Sequence, residues 1–80
     1  MHERRVMEDI VGAVETAAAG ARPVRLRVRL GELSHFSPEH FVEHLGDTSL
    51  AGVEIEFGEP IPRTDPRAQT VLLESVIVAA

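Results

Sequence analysis

Between Val24 and Leu30 the chain alternates without a break: Val24, Leu26, Val28 and Leu30 are separated by Arg25, Arg27 and Arg29. Successive side chains of a strand point to opposite faces, so this stretch reads as a strand with one dry face and one wet face. Three arginines in a stripe would suit phosphate. However, no aromatic residue is interleaved for stacking and no Gly-rich loop is present to cradle it, so the competing reading is an ion-paired or solvated face. A second alternating stretch favours the ion pairs. Val53, Ile55 and Phe57 are separated by Glu54 and Glu56, and pairing the two strands with apolar faces aligned puts both glutamates among the arginines.

The dry face needs cover, and the sequence offers two helices. From residue 3 to about 19, Val6, Met7, Ile10, Val11, Val14, Ala17 and Ala18 recur at intervals of three and four, and Gly20 and Pro23 end the run. A second, shorter helix starts at Ser37-Pro38-Glu39, with a serine cap, proline at the first helical position and an acid in the first turn. It ends near Gly46, carries Phe41, Val42 and Leu45 as its apolar stripe, and is stapled at its start by Phe36. Glu59 to Ala68 holds three prolines and no apolar period, and is expected to be a stiff exposed connection. Val71 to Val78 forms a third strand in which Val76 and Val78 face one way and Ile77 the other. An apolar Ile77 on the solvent face marks an edge contact or the seam of a homodimer. The expected architecture is a two-layer α+β fold, with two helices packed on one face of a three-stranded sheet in the order α-β-α-β-β, as one domain over residues 1–80.

Composition removes several functions. A formal charge of −5 argues against nucleic acid, whose binders displace phosphate counterions with basic surface, and against an anionic membrane. No apolar run approaches the length of a membrane span and no signal peptide is visible, so a cytoplasmic location is expected. The chain has no cysteine, hence neither disulfides nor a thiolate zinc site. No nucleophile and base stand in a recognisable pattern, and no enzymatic activity is expected.

Two groups of residues could bind metal. At Met1-His2-Glu3, a terminal amine, the amide nitrogen of residue 2 and the His2 imidazole can close chelate rings on one ion with nitrogen donors in a plane, which suits Ni(II) or Cu(II). The bland alternative is a frayed, solvated terminus. His40 and His44 stand four apart, so two imidazoles reach one ion from one helical face, and Glu43 could add an oxygen. Glu43 is not at the second position of the His-Glu-x-x-His hydrolase pattern, and a merely solvated polar face is the competing reading.

Met1-His2-Glu3 opening an amphipathic helix, the strand running into Gly31-Glu32-Leu33-Ser34, the Pro38-Glu39-x-Phe41 helix start and the Ala51-Gly52-Val53-Glu54-Ile55-Glu56 strand occur in the order of the HypA/HybF family. The chain resembles that family over residues 1 to about 58 and again at Leu72 to Val78. The resemblance implies a nickel metallochaperone for hydrogenase maturation, with Met1 (through its amine), His2 and Glu3 as the nickel site. It also implies a HypB-like GTPase and a nickel enzyme precursor as partners. Family members insert a zinc domain with two Cys-x-x-Cys pairs where residues 59–69 stand here, so no zinc is expected. The alternative is a diverged interaction or dimerisation module that no longer carries metal.

Overall fold

A computed structural model describes the chain from residue 2 onward, with side chains from Glu3. Five elements follow one another: α1 (His2–Ala18), β1 (Pro23–Leu30), α2 (Pro38–Leu45), β2 (Glu54–Phe57) and β3 (Val71–Val78). The alternating arginine strand lies in the middle of the sheet, whose order is β2-β1-β3. β2 runs parallel to β1, with α2 lying in the crossover between them, and β3 runs antiparallel on the other side. Leu26, Val28 and Leu30 turn inward and pack with Met7, Ile10 and Val14 of α1 and with Phe41 and Leu45 of α2. Both helices therefore cover one sheet face, and the fold is α+β in two layers.

The outer face carries the charges. Arg25 is opposite Glu54 and Arg27 opposite Glu56 in the ladder, and both pairs close at 3.1 Å. Arg27 has a second partner, Glu74, whose carboxylate lies 3.1 Å from its Nε. Glu74 is available because the β1–β3 register slips from Arg27↔Ser75 to Val28↔Leu73, leaving it as an extra residue on β3. These hydrogen bonds and charges hold the Arg27 guanidinium above its ordinary pKa. The arginine stripe is thus an ion-pair ladder, at least along Arg25 and Arg27; Arg29 donates from Nε to the Glu59 carbonyl at 2.8 Å.

The proline-rich segment departs from expectation. It has no regular secondary structure and its prolines are exposed, yet Ile61 is fully buried and Ala68 nearly so. Two backbone bonds of 2.9 Å tie Ile61 to the end of β1, one to the Leu30 carbonyl and one from the Glu32 amide. Further along, the amides of Gly31 and Leu33 donate to Thr70 and Ala68, each at 2.9 Å. Prolines mark where a chain cannot join a ladder, but they do not show that the residues between them stay outside the core. The close approach explains Gly31, since a Cβ there would stand 1.9 Å from the Ala68 carbonyl oxygen.

Candidate functional site

α2 begins where the sequence places it. The Ser37 hydroxyl accepts from the His40 amide at 3.1 Å and Pro38 fills the first turn, fixing the helix and the direction of the side chains one turn apart on it. Phe41 and Leu45 face the core, leaving His40 and His44 half-buried on the neighbouring face. The Nε2 atoms of these two imidazoles are 2.8 Å apart. That contact is a hydrogen bond when one ring donates from Nε2 and the other accepts there, which requires the two rings to hold different tautomers. Phe36, itself buried, walls the pair, with ring centroids 5.2 Å from His40 and 6.0 Å from His44. His35, just before it, takes the left-handed backbone conformation (φ 68°) and lies outside this cluster.

A third donor arrives from the other helix. Glu3, in the first turn of α1, places Oε2 3.5 Å from His40 Nε2. One ligand atom each from Glu3, His40 and His44 lie within 4.8 Å of one another. Of the first candidate site, Glu3 stands beside His40 and His44 of the second, and it supplies the oxygen considered for Glu43. Met1 and the side chain of His2 lie outside the described residues.

The donor set suits a borderline metal ion. Two donors about 2.0–2.1 Å from a shared ion stand roughly 2.9 Å apart at a right angle and roughly 3.3 Å apart at a tetrahedral angle. A spacing of 2.8 Å puts the two Nε2 atoms at about the separation that one shared ion requires. Both lone pairs must then point at the ion, so the metal-free hydrogen bond between the rings and the metal-bound arrangement exclude each other. Partial exposure, with His40 at 33% and Glu3 at 41%, leaves an approach for the ion and positions for further ligands. Imidazole nitrogen with one carboxylate fits Ni, Cu or Zn better than Mg or Ca, which prefer all-oxygen sites.

Ile77 lies elsewhere. It pairs with Arg25 on the outer sheet face, away from the helices, and is 49% exposed on a strand at the sheet edge. Among the described residues no helix is long and apolar enough to cross a membrane. No family model, curated protein or solved structure matches this chain.

Proposed function

We propose that the chain is a nickel-binding accessory protein, a metallochaperone-like carrier that loads a nickel enzyme such as nickel-iron hydrogenase. The observation that carries this reading is the meeting of Glu3 with His40 and His44. A site assembled from two helices, at the amino end of the first, has the nitrogen-rich donor set of a late first-row ion. Met1, through its amine, and His2 immediately precede Glu3 in sequence and would complete the set. Half-exposed donors favour exchange over permanent storage, because a competing ligand or a proton can displace them one at a time. The resemblance to HypA/HybF proteins selects nickel among the candidate ions, and with it a cytoplasmic setting, a HypB-like GTPase and an enzyme precursor as partners.

A second reading has its own support. Without metal, the His40 and His44 imidazoles already lie within hydrogen-bonding distance at 2.8 Å, with the Glu3 carboxylate 3.5 Å from His40. The cluster could then serve only to fasten α1 to α2 in an interaction module. Calorimetric titration of untagged, metal-free protein with Ni(II) at neutral pH separates the two. The carrier should bind about one ion per chain, and the double substitution His40→Ala, His44→Ala should weaken binding at least about tenfold, since even residues that only orient metal ligands are worth about that much. No nickel binding by the wild-type chain would leave only the fastening role.

A further inference from the structure

Beside Glu3, His40 and His44 a cleft of about 590 Å³ opens between α1 and the end of α2. Its floor is Met7, Val11 and Gly12, and its far wall is His44, Asp47 and Thr48. Along α1 it runs from Glu3 to Glu15, about 18 Å at the rise of an α-helix. We infer that this cleft is a docking groove for a basic amphipathic helix of a partner protein, seated so that its end lies against the Glu3, His40 and His44 cluster.

Three observations converge on that occupant. The first is shape: the groove follows one face of α1 for about three turns, which is the footprint of a helix presenting apolar residues at i, i+3 or i+4, and i+7. The second is charge. Glu3, Glu8, Glu15 and Asp47 border the groove, against a single guanidinium, Arg4, which is already within 3.5 Å of Glu8. A partner carrying lysine or arginine on both sides of its apolar stripe complements this rim, and an acidic one is repelled. The third is Gly12. Glycine inside a helix costs about 0.5–1 kcal/mol relative to alanine, yet a Cβ built on Gly12 meets no described atom within 4 Å. Nothing within the fold requires the missing side chain. A helix laid in the groove would require it, because a residue without a side chain lets two helix backbones approach closely.

Docking at the groove stands independently of the metal; its consequence for the ion rests on the function proposed above. Glu3 and His44 belong both to the cluster and to the groove wall, so a docked helix touches two of the donors. Its residues would be placed to take the ion as Glu3 or His44 releases it.

The test uses the full chain with chelator present, so that its outcome does not depend on metal binding. The probe is a fluorescent helix-forming peptide of about 14 residues, with leucine at the stripe positions and lysine elsewhere, and its counterpart has glutamate in place of lysine. Fluorescence anisotropy should show the lysine peptide binding at least about tenfold more tightly than the glutamate peptide, and more weakly as salt is raised. Gly12→Leu, which fills the groove at a position with room for a side chain, should cost about tenfold in affinity with the circular dichroism spectrum unchanged. Thr16→Leu, on the same helix outside the groove, should bind as wild type. Amide shifts in the bound state should fall on Val11, Gly12, Glu15, Asp47 and Thr48. Equal affinity for the two peptides, full binding by Gly12→Leu, or shifts confined to the β3 edge would each overturn the inference.

Discussion

At the scale of single residues, Gly31 has the least room for a side chain of the glycines. An alanine there would force its Cβ to 1.9 Å from a backbone oxygen of Ala68, and backbone cannot swing aside as a flexible side chain can. Gly31→Ala should therefore lower unfolding free energy by about 2–3 kcal/mol, as overpacking does, measured by urea denaturation. Asp65 gives a residue-scale effect with a pH signature. Its carboxylate accepts from the Arg67 side chain at 3.2 Å and from the Arg67 amide at 2.8 Å, which together hold its pKa below the ordinary 3.8. A carboxyl depressed in the folded state contributes stability that is complete above its unfolded value and disappears as pH falls through the lower folded value. Wild type should therefore melt above Asp65→Asn at neutral pH, and the gap should close below about pH 4. A gap that persisted at lower pH would mean that the carboxylate charge is not what holds this turn.

At the scale of elements, α2 links local capping to the site. Ser37 holds the first turn, and both imidazoles ride on the helix it starts. Ser37→Ala should cost about 1 kcal/mol of stability in thermal melts, and by fraying the turn that bears His40 it should also weaken nickel binding although no metal donor has changed. This element was readable from sequence because capping, proline placement and apolar spacing are all local signals. The pairing of β1 with β2 was readable for a similar reason: matched alternation rules out every one-residue slip, because each turns an apolar face outward, although it specifies neither strand direction nor a shift of two. Local signals end there. The meeting of Glu3 with His40 depends on how two helices settle on a shared sheet, and no spacing in the chain encodes it. The burial of Ile61 and Ala68 depends on the end of β1, which the proline pattern conceals. The bulge that turns Glu74 toward Arg27 left no sequence signal that we can identify.

At the scale of the whole molecule, the core is small and contains no buried polar side chain among the described residues. Stability should therefore respond strongly to anything that binds the folded state alone. If Ni(II) occupies the cluster, a free concentration a hundredfold above its dissociation constant adds about 2.7 kcal/mol. For a domain of this size that is a rise in melting temperature of about 10 °C or more, read by differential scanning fluorimetry and absent from the variant lacking both His40 and His44.

An ion bound as proposed would act as a clasp, because of where Glu3 stands. An ion held by residue 3 on one helix and by residues 40 and 44 on another closes the chain into a ring through β1, with the first turn of α1 as the end that opens. Helix ends fray before helix centres, so the weakest part of the ring is the part that carries the carboxylate. A partner that unwinds or captures that one turn would loosen the ion without disturbing the sheet, and loss of the ion would in turn free the turn. By this linkage, release of a bound ion and loosening of the first turn of α1 would become the same event.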